Sequence, residues 1–150
     1  MHISEREYVR IQELLPILCV DIALIYQGRC LLLQRLNQPA QGQWWFPGGR
    51  VLKNELIKDA ALRKSQAEVG LAGEFKRILS IEETIFRKNN GMKSDIHTVN
   101  VCCHMTVQDI SSLNVDGDHS DFRWVDHNET ESLNLHPAVL QPLVMALSQQ

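Results

Sequence analysis

A glycine turn that feeds a helix, which then stops on a second glycine, is the strongest constraint in this chain. The segment runs from Gly49 to Leu71, GRVLKNELIKDAALRKSQAEVGL. Asn54 is a good helix N-cap, and Glu55 puts negative charge on the positive end of the helix dipole. Apolar residues recur at Leu56, Ile57, Ala60, Ala61, Leu62 and Val69, as one face of a helix requires. Gly70 stands where a left-handed C′ residue would close it.

The flanking sequence alternates strands with helices. Ser4 to Leu14 predicts a short amphipathic helix capped by Ser4, with Tyr8, Val9, Ile11 and Leu15 on its apolar side and Pro16 ending it. Pro16–Tyr26 and Arg29–Leu36 read as strands joined by a hairpin turn at Gln27-Gly28. A loop at 37–43 and a short strand at 44–46 lead to a Pro47-Gly48-Gly49 turn and the long helix. Strands follow at 74–86, 96–107 and 121–125, with an acidic loop at 114–120 between the last two. His136–Ser148 closes the chain as a helix with Pro137 near its start. Interleaved strands and helices with no repeat or linker give the class α/β, with residues 1–150 as a single domain.

At 150 residues and 44% hydrophobic, the chain has enough apolar side chain for a real core. A net charge of −3 with interspersed signs argues against nucleic acid or an anionic membrane as general partners. No run approaches the roughly 18 apolar residues of a membrane span. The start MHISEREYVR is too polar for a signal peptide, so the expected compartment is the cytoplasm. Cys19, Cys30, Cys102 and Cys103 lack paired-ligand spacing and read as small buried hydrophobes, with Cys102 and Cys103 on opposite strand faces.

Gly49, Glu55, Arg63, Glu68, Gly70 and Leu71 fall in register with the Nudix box, and on these residues the chain resembles the Nudix hydrolase superfamily. The box is modified: Lys64 and Ala67 stand where the usual pattern has glutamates that gather magnesium. Together with Asp21, the run RLNQPAQG at 35–42, WFPGGRV at 45–51 and DHSDFRW at 118–124, these losses resemble the GDP-mannose mannosyl hydrolase branch. That resemblance implies an α/β/α sandwich around a mixed β-sheet, with an N-terminal helix at 1–15 that forms dimers. It also implies a GDP-sugar substrate (GDP-mannose or GDP-glucose) and one Mg²⁺ per subunit. The ion would be held by the Gly48 carbonyl, Glu68 and a side-chain oxygen at Asp118. Asp118 equally reads as a polar turn residue of an acidic loop.

The resemblance places a catalytic histidine at His119. Imidazole titrates near neutrality and can take a proton from water at pH 7. The other five of the six histidines fall in the 96–107 strand (His97, His104) or near segment ends (His2, His127, His136). Arg35, at the end of an apolar strand, and Arg50, just past the glycine pair, read as phosphate clamps, since guanidinium meets phosphate oxygens bidentately. Arg63 with Glu55 is expected to make a structural ion pair. Asp21 interrupts the apolar run 17–25, where a carboxylate must be paired or used; family position turns it toward the sugar, and a buried salt bridge is the competing reading. His2, Ile3 and Tyr8 lie where the relative's N-terminus contacts the substrate base across a homodimer. Trp44, Trp45 and Trp124 read as core or wall.

Three functions compete at this stage. Water activated by His119 could attack the sugar C1, releasing a nucleoside diphosphate with inversion. Ordinary attack at phosphorus of an NDP-sugar, ADP-ribose or NTP would need a replacement acid such as Glu82 or Glu83. A non-catalytic nucleotide-binding module is the third.

Overall fold

The computed structural model describes residues 2–148. The first helix forms as the sequence predicts: α1 (Glu5–Leu14) carries Ser4 at its N-cap, and the Ser4 hydroxyl and Glu7 carboxylate complete a reciprocal capping box. β1 (Ile17–Tyr26) and β2 (Arg29–Arg35) follow as a hairpin. Its two turn residues, Gln27 at φ 48° and Gly28 at φ 78°, both take the positive φ that a tight hairpin twist demands. β3 (Trp44–Trp45) pairs with β2.

At the glycine pair the structure departs from the predicted turn. Gly48–Arg50 is a strand, β4, antiparallel to β1 across Cys19–Asp21. The helix also starts later than Asn54. α2 is Ile57–Val69, with Leu56 at its N-cap and no side-chain cap bond. Asn54 takes φ 68°, a left-handed conformation that asparagine tolerates. Glu55 turns aside to accept from the Leu52 N–H and from Arg63 at 2.7 and 2.9 Å. A bidentate, charge-assisted pair outweighs the ~1 kcal/mol of a cap. Gly70 closes α2 at φ 70°, as expected.

β5 (Glu74–Phe86) and β6 (Ile96–Thr106) form a long antiparallel pair, and β6 runs parallel to β1. β7 (His119–Val125) pairs with β2 and begins at His119 rather than Asp121, so His119 opens a strand opposite Arg35. A 3₁₀ turn at His127–Glu129, not foreseen, precedes α3 (Pro137–Leu147), whose first turn is capped by the His136 ring. The seven strands make one mixed sheet with the spine β3-β2-β1-β6-β5.

The sheet is covered on both faces. Val20, Ile22, Leu24, Leu31 and Leu33 pack with Ala60, Ala61 and Val69 of α2. Ala23, Ile25 and Leu32 pack with Val139, Leu143 and Ala146 of α3. Cys102 belongs to the α3 side and Cys103 to the α2 side, as strand alternation requires. This is the expected α/β/α sandwich. Alternation also places Cys19 and Asp21 of β1, and Thr98 and Asn100 of β6, on the α3 face but beyond the residues that α3 packs against. That part of the face is the cleft. Among the described residues no helix is long and apolar enough to cross a membrane.

Candidate active site

A cleft of about 280 Å³ opens on this face, floored by β1 and β6 and walled by β4, the 38–40 loop and α1. Glu68 of α2 reaches its edge; the residue is 7% exposed. Its Oε1 accepts the Gly48 N–H at 2.8 Å, and its Oε2 lies 3.5 Å from Lys64 Nζ. Glycine is required at position 48 by closeness rather than by φ: a Cβ there would collide with the Val20 carbonyl oxygen. Arg63 donates to Glu55 and, at 3.1 Å, to the Arg50 carbonyl, which ties helix to strand. The bond from Arg63 lowers the Glu55 pKa and raises that of Arg63. The structural Glu-Arg pair is therefore present, and it fixes where β4 delivers Arg50.

The Arg50 guanidinium sits 4.4 Å from the centroid of the Tyr8 ring, bringing α1 to the cleft. Burial raises the Tyr8 pKa. Arg35 donates to the Pro39 carbonyl at 2.7 Å. Burial lowers the Arg35 pKa, opposed by the charges of Glu68, Asp21 and Asp118. Both arginines line the cleft, as does Asp21. Burial pushes the Asp21 pKa up to about 7, against hydrogen bonds from Asn100 and Trp45 and the charge of Arg35. His2 and Ile3 do not line it; His2 is exposed ahead of α1.

The acidic loop is pinned to the C-terminus of α2, whose last carbonyls lack helical partners. Asp116 N–H donates to the Glu68 carbonyl at 2.9 Å, Asn114 N–H to that of Val69 at 2.9 Å, and Ser112 Oγ to that of Gly70 at 2.8 Å. These bonds set the Asp116 side chain beside the helix. Asp116 Oδ1 lies 2.7 Å from His119 Nδ1, and the His119 ring is 4% exposed. One ligand atom each from Glu68, Asp116 and His119 fall within 4.8 Å of one another. Two carboxylates and an imidazole at that spacing fit a divalent cation. Asp118, the expected third ligand, is exposed and turned to Asn37, whose Nδ2 donates to it at 3.3 Å. The residue brought to Glu68 is Asp116.

A fold of this kind, with a glutamate and glycine turn at one end of a polar cleft, has known counterparts. The NUDIX domain matches residues 16–146. The chain belongs to the NUDIX domain family. Agl8, a low-salt glycan biosynthesis protein of Haloferax volcanii, is 31% identical over 139 residues, 91% of this chain and 86% of that protein. A MutT NUDIX hydrolase from Burkholderia pseudomallei superposes with a TM-score of 0.68 at 26% identity, covering 86% of this chain and 96% of that one. The NUDIX domain of Shewanella oneidensis NrtR, solved with ADP ribose, has a TM-score of 0.71 at 22% identity, covering 98% and 99%. At that identity the likeness is one of fold.

Several residues at or beside the cleft escaped the sequence reading. Asp116 is three residues before His119 in DGDH, a spacing that could have paired them. Asn100 and Thr98 show no motif; only the strand pairing that sets Thr98 Oγ1 2.6 Å from both Thr84 Oγ1 and Asn100 Oδ1 reveals them. Glu82 and Glu83 do not line the cleft, and Glu83 lies 3.7 Å from His97.

Proposed function

We propose that the protein is a Mg²⁺-dependent hydrolase that splits a GDP-sugar, GDP-mannose or GDP-glucose, into GDP and free sugar by water attack at the anomeric carbon. The observation that carries this reading is the Asp116–His119 hydrogen bond beside Glu68. A carboxylate on Nδ1 fixes the ring tautomer and leaves Nε2 to take a proton. Water gives its proton to Nε2, its oxygen bonds to C1, and the C1–O bond breaks with its electron pair leaving on GDP. A single displacement inverts the anomeric centre. The His119 side chain is 4% exposed and is not among the residues lining the cleft, so that water reaches Nε2 only when the ring is uncovered.

Arg35 and Arg50 bind the phosphates, and Asp21 faces the sugar, where its ionised form, reached only above about pH 7, favours developing positive charge. Mg²⁺, one per subunit, would be held by Glu68 and the Gly48 carbonyl with Asp116 or Asp118, and would offset charge on the departing diphosphate. Tyr8 stacks with Arg50 at the cleft wall. His2 and Ile3 are proposed to reach the base across a homodimer. The likeness to a glycan biosynthesis protein supports a sugar nucleotide over other Nudix substrates.

Attack at phosphorus has one observation in its favour. Asp116 returns a second carboxylate to Glu68, partly making up for the acids missing at Lys64 and Ala67. Product identity tests the choice. With GDP-mannose and Mg²⁺, ¹H and ³¹P NMR are expected to show GDP and, first, β-mannose. GMP with mannose 1-phosphate would overturn the proposal, and binding without turnover would establish a nucleotide-binding module.

A further inference from the structure

Lys64 has so far counted only as a missing acid, yet its side chain is not where a solvated lysine would lie. It is 22% exposed, and its stem lies along β4, with Nζ 3.0 Å from where a Gly49 Cβ would stand. Lysine stems often cover apolar surface while the ammonium escapes to water; here the ammonium is turned inward, 3.5 Å from Glu68 Oε2. Helix stability gives little reason for this. A Lys–Glu pair four apart gains more with the glutamate first, and here the lysine comes first.

The surroundings supply a reason. The thiol of Cys19, on the cleft floor, feels three cations: Lys64, Arg35 and Arg50. Arg50 follows the same glycine pair that Lys64 lies against, and Arg35, Arg50, Gly49 and Glu68 all line the cleft. Arg35 of β2 and Arg50 of β4 line the cleft, and Lys64 of α2 lies directly behind its wall, against Gly49 and 3.5 Å from Glu68. In a Nudix box with the usual glutamate at position 64, that place would hold an anion able to recruit metal.

We propose that Lys64 is a built-in cation of the diphosphate site, binding the diphosphate directly with Arg35 and Arg50 in the place of a second divalent ion. The inference rests on the diphosphate handling in the proposed function but not on its sugar or its point of attack. A lysine ammonium is a compact, strongly hydrated point charge suited to a phosphate oxygen. Supplied by the chain itself, it costs no metal-binding equilibrium. It would also account for the single ion per subunit of the proposed function.

The test uses inorganic pyrophosphate, which lacks base and sugar, titrated calorimetrically into the full chain in EDTA. The wild type is expected to bind, Lys64→Met to bind at least about tenfold more weakly, and Lys64→Arg to stay within about threefold. Matching melting curves would show that the variants fold. Equal binding by Lys64→Met, or no binding by the wild type, would overturn the inference. A second readout is Mn²⁺ titration followed by electron paramagnetic resonance without nucleotide. Lys64→Glu is expected to bind one more Mn²⁺ per subunit than the wild type, and an unchanged count would contradict the replacement. If GDP-mannose proves inert while both results hold, only the substrate assignment falls.

Discussion

The two ends of the cleft are built by different means. At one end Gly48, Arg50 and Glu68, with Lys64 behind them, come from a single contiguous stretch, β4 and α2, braced by the Arg63–Glu55 pair and by the loop that caps the helix. At the other, Asp21, Thr98 and Asn100, with Thr84 behind Thr98, come from three strands and meet only through register: Thr84 opposite Thr98, and Asp21 beside Cys102. The first end is charged on both signs and reaches solvent. The second is buried, with Asp21 at 5%, Thr84 at 6% and Asn100 at 7% exposure, and its hydroxyls and amide are bonded to one another. Charge is handled where the chain is locally stiff, and neutral recognition where strands must align. A diphosphate suits the first environment, and sugar hydroxyls suit the second.

The contrast can be broken from either side. Glu68→Gln has the largest expected effect: kcat/KM falls beyond the roughly hundredfold that disturbing a metal's outer partners costs, with Mn²⁺ affinity falling in parallel. A variant with full activity in excess EDTA would remove the metal from the charged end. His119→Ala is expected to lower kcat about a hundredfold with KM nearly unchanged; an equal loss in His97→Ala would reassign the base.

At the neutral end, burial holds the proton on the Asp21 carboxyl up to about 7, against 3.8 for an ordinary aspartate. The unfolded chain releases that proton earlier, so this residue costs stability progressively as pH rises from about 4 to 7. Asp21→Asn removes that cost. Its stability advantage over the wild type is expected to grow across that window to about 4 kcal/mol, and a pH-independent difference would refute the burial argument. Asn100→Ala is the smallest: about a tenfold rise in KM for GDP-mannose with a lesser change in kcat, from loss of one buried hydrogen bond to a carboxyl. Equal effects on inorganic pyrophosphate binding would erase the distinction between the ends.

The charged end was legible because its residues are neighbours in sequence. Gly49, Glu55, Arg63, Glu68 and Gly70 announce themselves by spacing, and strand and helix periods gave β5, β6 and α3 nearly to the residue. The helix start at Ile57 was misread because Asn54 and Glu55 look like caps until the distant Arg63 claims the carboxylate. Asp116 was passed over for Asp118 because a loop's side-chain directions depend on its anchors. Here those anchors are the carbonyls of Glu68, Val69 and Gly70, about forty residues away on the chain. Thr98 and Asn100 carry no local signal at all; their role arises from the β5–β6 register.

Whether water attacks the anomeric carbon or phosphorus is decided by where its oxygen goes. GDP and mannose could also arise from water attacking the β-phosphorus, so the two routes share products and differ only in the first-formed anomer and in where the water oxygen ends. Turnover of GDP-mannose with Mg²⁺ in H₂¹⁸O, read by mass spectrometry, separates them. The expected result is ¹⁸O in mannose and unlabelled GDP; ¹⁸O in GDP or in a sugar phosphate would contradict attack at carbon.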